Sequence, residues 1–159
     1  MDKQIQQPIT LVLPVAADRL QELKLTVACL DVAKLTRALD TVGTVHNTRF
    51  VIVEDPRHGS VTLMLVAVFD GPLDEYIRAF ARLMAGEFNA LLAFAENRPP
   101  ELDRGVEQDV DAFVRYVEEN NVPPANATTY SAYPDLTVLD IYEASRPPDP
   151  APPALDPRR

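Results

Sequence analysis

The segment VTLMLVAVF, residues 61–69, decides the architecture. Its β-branched and aromatic content marks a strand, and successive side chains of a strand point to opposite sides of a sheet. A sheet with one wet face shows apolar-polar alternation, yet this segment carries hardly a polar residue on either side. Both of its faces are therefore expected to be covered, one by helices of the same chain and the other by something further.

Outward from that strand, VHNTRFVIV at residues 45–53 reads as its hairpin partner, joined to it by the turn-rich EDPRHGS of residues 54–60. ITLVLPV at residues 9–15 is a first strand, with Pro14 suited to a strand end because it cannot donate to a ladder. Between them Leu20, Leu23, Val27 and Leu30 recur at helical spacing and predict one helix reaching Leu39, with Gly43 as punctuation. Downstream, Asp70-Gly71-Pro72 opens a second helix whose early acids, Asp74 and Glu75, complement the positive end of the helix dipole. Its apolar face runs Leu73, Tyr76, Ile77, Phe80, Met84, Phe88, Leu91. After the break at residues 97–100, Val110, Phe113, Val114 and Val117 mark a shorter helix ended by Pro123-Pro124. NATTYSAY at residues 126–133 reads as the closing strand. Thr137 with Asp140 three residues on resembles a capping box before a last short helix.

The order βαββαβ makes an α+β, ferredoxin-like domain over residues 1–145, with an antiparallel sheet and extra short helices. Residues 146–159 hold six of the fifteen prolines and almost nothing apolar, and are expected to be a disordered tail. Fifteen basic against 24 acidic residues give a net charge of −9, which repels a phosphate backbone and argues against nucleic acid as a partner. Cys29 is the single cysteine, so an internal disulfide and a multi-cysteine metal site are excluded and a reducing cytoplasm is the expected setting. The first eight residues lack an apolar export signal, and the longest apolar run, residues 63–69, falls far short of the roughly 20 residues that span a bilayer.

With both main helices on one face, the other face of the sheet needs a cover, and a second copy is the simplest one: a homodimer with facing sheets. The dipeptide PV before the first helix, TVHNTRFVIVED at residues 44–55, FDGPLDEYI at residues 69–77 and TTYSAYPDLTV at residues 128–138 resemble the dimeric α+β barrel superfamily. More narrowly, they resemble an uncharacterised bacterial group in it whose second strand reads like VHFARFV; here Asn47 and Thr48 stand where that group tends to have Phe and Ala. The resemblance implies a dimer and a wide range of functions: haem-dependent peroxidases, chlorite-decomposing enzymes, cofactor-free monooxygenases and small-molecule-binding modules. Haem enters as a cofactor through this analogy alone.

His46 is the leading titratable candidate, since an imidazole shuttles protons or ligates iron, although a lone strand histidine is more often a hydrogen-bonded structural residue. Arg49 interrupts an apolar strand and needs a carboxylate or a ligand oxygen to offset desolvation. Strand alternation puts Asn47 and Arg49 on one face and His46 on the other, unless a bulge intervenes. Tyr130 and Tyr133 offer phenols from the closing strand, with packing as the favoured role. Cys29 reads as a small core residue and His58 as a solvated turn residue. No nucleophile elbow, phosphate loop or metal-ligand spacing is present, so no residue is assigned a catalytic role. Two functions remain: a small-molecule-binding protein with a cavity by the sheet, extending to oxygenase- or peroxidase-like chemistry, or a non-catalytic assembly module acting through its dimer and proline-rich tail.

Overall fold

The computed structural model describes residues 5–147. Strands β1 (Gln6–Val15), β2 (Val45–Asp55) and β3 (Ser60–Asp70) form one antiparallel sheet in the order β1-β3-β2. The decisive apolar segment is thus the central strand, paired with β1 from Gln6↔Asp70 to Val15↔Val61 and with β2 up to Asp55↔Ser60. In the β2–β3 turn the Asp55 carboxylate accepts the backbone N–H groups of Arg57 and His58, and Gly59 takes φ +64°.

The helices are α1 (Leu20–Ala28), α2 (Val32–Val42), α3 (Leu73–Leu83), α4 (Ala85–Leu92), α5 (Val110–Asn120) and α6 (Val138–Ala144). Each of the two long helices expected from the sequence is two helices. The first is interrupted because Asp31 takes the N-cap of α2, its carboxylate accepting Lys34 N–H at 2.9 Å. Cys29 consequently sits at the end of α1 and is exposed, not a core residue. The second breaks at Met84, whose backbone leaves the helical region (φ −134°, ψ 28°) two residues before Gly86. No described helix is long and apolar enough to cross a membrane.

One side of the sheet is closed. Ile9, Leu11, Leu13 and Val15 of β1 and Val61, Leu63, Leu65, Ala67 and Phe69 of β3 are buried under the helices. A chain of ring contacts runs from Phe69 through Tyr76, Phe80 and Phe88 to Phe113, with centroids 4.0, 4.5, 5.8 and 5.4 Å apart. The break at Met84 redirects α4 so that Phe88 meets both Phe80 and Phe113 edge-on, a geometry that adds about 0.5–1.5 kcal/mol per pair beyond area burial. A void of about 20 Å³ lies between sheet and helices, lined by residues such as Leu11, Phe50, Leu65 and Phe113. That is room for about one water, in apolar surroundings that give it no partners.

The expected closing strand at residues 126–133 is absent; the segment is irregular and almost wholly exposed. The outer edge of β1 explains this. Thr10 turns its N–H to Asn121 Oδ1 and its carbonyl to Val122 N–H, both at 2.9 Å, so every second residue of β1 presents its backbone outward. Two of those residues are Pro8 and Pro14, which have no N–H, and the Pro14 carbonyl already accepts Glu96 N–H. A fourth strand would find few donors left. The tail expected from residue 146 lies, from residue 148 on, outside the described residues.

Candidate functional site

The described residues leave the other side of the sheet open. Across the three strands its side chains stand in rows: Pro8–Val68–Asn47, Thr10–Val66–Arg49, Val12–Met64–Val51 and Pro14–Thr62–Val53. Most are half-buried by their neighbours; Val12 and Val53 are 37% and 43% exposed. Arg49 is the single charge in these rows and makes no ion pair with a described residue.

At one end of this face the chain builds a polar junction. The β2 register passes from Val45↔Phe69 to Asn47↔Val68, so His46 is the extra residue of a β-bulge. The bulge overturns the strict alternation expected from the sequence: His46 reaches Asp70, a residue of the open face, and stands on the same side as Asn47 and Arg49. His46 Nε2 lies 2.7 Å from Asp70 Oδ1. An ionised carboxylate only accepts, so Nε2 carries the proton. The second oxygen of Asp70 accepts Val138 N–H, at the first turn of α6, at 2.7 Å. Opposite Asp70 in register, Gln6 donates from its amide to the carbonyls of Tyr133 and Leu136 at 2.7 and 2.9 Å.

These bonds pin residues 133–138 as a strap over the end of the sheet. The His46 and Asp70 side chains keep 11% and 9% of their exposure, and Gln6 is the one buried polar residue among those described. The capping box expected at Thr137 and Asp140 is present in full, and the Thr137 hydroxyl holds the Asp140 carboxyl below its ordinary pKa. Val138 is buried beneath it.

A carboxylate that fixes a histidine tautomer is the orienting half of many acid-base sites. Here its second oxygen serves a helix terminus, and no hydroxyl or thiol of the described residues is hydrogen-bonded to His46. The nearby groove that Asp70 helps to line, about 540 Å³ between the end of α2 and α3, is open and mixes Glu75 with Arg78 and Arg82. Arg78 is already held by Asp74 and Asp111, which raise its pKa further.

The remaining candidates do not converge on the junction. Tyr130 is 89% exposed and Tyr133 63%, and neither lies on a strand or packs as expected; Tyr133 contributes its carbonyl. His58 sits on the exposed hairpin turn beside Asp55, whose carboxyl it holds down in pKa. The buried phenols are no neutral-pH acids: burial pushes Tyr76 up, and Tyr116, bonded to Asn97, up to about 12. Gln6 and Asp70, which organise the junction, were not sequence candidates. Asp70 reads as part of the DGP helix start, and only its position at the end of the central strand hints at a second role.

Haem does not fit these residues within one chain. The His46 ring lies nearly buried against Asp70 and His58 stands on an exposed turn paired with Asp55, and neither histidine lines the void beneath the sheet or the groove at Asp70. No haem-dependent step follows from them. Among the described residues no three His, Cys, Asp or Glu side chains gather as a metal site. No protein-family model, no curated protein and no solved structure matches the chain.

Proposed function

We propose that the chain works as a homodimer of the dimeric α+β barrel kind, two copies laying their open faces together around a small-molecule site. The open face carries this reading: four rows of mostly apolar side chains, with Arg49 as their one charge, on a sheet whose other side is fully packed. A monomer would leave Val12, Val51, Val53, Met64 and Val66 facing water together. The three strands serve as a ferredoxin-like frame in which the pinned strap replaces the last strand, and the lone cysteine is in keeping with a cytoplasmic setting.

The packed interior moves the ligand from the space between sheet and helices to the space between sheets. Arg49, with Asn47 beside it on the same face, supplies a guanidinium and an amide there, a pair suited to a small anion such as a carboxylate. Native mass spectrometry of the purified protein should find a dimer retaining a small molecule, and Arg49→Ala should release it. Unchanged binding of every compound from a ligand screen by Arg49→Ala would remove the assignment.

A non-catalytic assembly module is the second reading. It is favoured by the filled core and by the commitment of Asp70 to holding α6 in place. A dimer that retains no ligand and binds none would select it.

A further inference from the structure

We infer that the strap is half of the dimer contact: Tyr133, Leu136, Leu139 and Tyr142 of each copy bear on a second copy of this chain. This rests on the open-face pairing proposed above.

Ten large apolar side chains are exposed among the described residues, and half of them, Tyr130, Tyr133, Leu136, Leu139 and Tyr142, fall within thirteen consecutive positions. Leu139 and Tyr142, three apart on α6, share its outer face, while Val138 and Ile141 turn inward. Such a row is not left to move freely. Gln6 and Asp70 hold it by three hydrogen bonds, and both belong to the open face, so the strap forms the rim of the surface proposed to pair. Ordering these aromatic groups in the monomer lowers the entropic cost of docking them.

The area points the same way. Three strands over residues 8–14 and their partners give a footprint of roughly 350 Å², at about 3.4 Å per residue and 4.8 Å per strand. A stable interface buries about 800 Å² on each partner, so the sheet alone falls short. With about 200 Å² for a whole tyrosine, the exposed parts of these four side chains add on the order of 400 Å² and bring the patch close to that size. The charges are complementary as well. Residues 130–144 contain Asp135, Asp140 and Glu143 with no Lys or Arg, whereas the four rows of the open face carry Arg49 as their one charge. A second copy supplies both the apolar face and the opposite charge.

The test is sedimentation equilibrium of the full chain, with circular dichroism confirming the fold of each variant. The double variant Leu139→Ser, Tyr142→Ser alters side chains that are 65% and 55% exposed, so the monomer tolerates it. It should raise the dimer Kd about tenfold or more, as loss of interfacial tyrosine contacts does. Val12→Glu, on the open face, should abolish the dimer. If Val12→Glu acts and the strap variant keeps the wild-type Kd within about twofold, the strap inference is overturned and the open-face pairing stands. A wild-type monomer, or a dimer indifferent to Val12→Glu, overturns the pairing itself.

Discussion

Replacing Asp70 by alanine tests the junction that holds the strap. The substitution deletes one carboxylate that accepts from His46 Nε2 and from Val138 N–H, each at 2.7 Å, with the side chain 9% exposed. Hydrogen bonds to a charged group contribute about 1.5–3 kcal/mol each, and two that share one carboxylate do not add in full. A loss of about 2–4 kcal/mol is expected, on the order of 10 °C in Tm for a chain of this size. Asp70→Asn keeps an oxygen for Val138, and its amide donates to His46 once the ring takes the other tautomer. It should lose only about 1 kcal/mol. Urea unfolding followed by circular dichroism gives the stability, and amide hydrogen exchange locates it: at Val138 the alanine variant should exchange about thirtyfold faster, the equivalent of about 2 kcal/mol. An alanine variant within about 0.5 kcal/mol of wild type, or with unchanged exchange at Val138, would refute this account of the junction.

Phe113→Ala removes the last ring of the aromatic chain at a site 1% exposed, and should cost about 3–5 kcal/mol in urea unfolding. Gly43 closes α2 with φ +67°; no atom crowds an added Cβ closer than 3.7 Å, so Gly43→Ala should cost only the backbone strain, about 1 kcal/mol. Because the folded-state pKa of Asp140 lies below its ordinary 3.8, its contribution is complete above that value and is lost as pH falls through the lower one. Acid titration followed by NMR should therefore loosen the strap around Thr137 before the β3 amides, and Thr137→Val, which keeps only the backbone N–H bond to Asp140, should weaken that early step.

Much of the fold was legible because hydrophobic periodicity reports burial directly. The apolar character of residues 61–69 marked that strand, which the structure places in the centre of the sheet, and the Thr137–Asp140 spacing placed the last helix. Periodicity carries through a helix break, however, since residues on both sides of Met84 or Cys29 still face the core. The interruptions come from Asp31 competing as a cap and from the backbone at Met84. The closing strand was misread for a reason outside its own segment: NATTYSAY has strand-like composition, but the edge it would join is blunted by Pro8 and Pro14 and occupied by Asn121 and Val122.

The site was less legible. Arg49 and Asn47 followed from alternation and do stand together on the open face. His46 did not, because one inserted residue shifts the side from which a side chain emerges, and nothing in VHNTRF announces a bulge. Its partner Asp70 lies 24 positions away, and the Gln6–Leu136 bond spans 130, separations that a reading of neighbours along the chain does not cover.

The central claim is that the open face is an interface between two copies. Sedimentation equilibrium of the full chain at micromolar concentration tests it most directly. The account predicts twice the 17.6 kDa of one chain for the wild type, and a single chain for Val12→Glu with an unchanged circular dichroism spectrum. A wild-type mass of one chain at that concentration would contradict it.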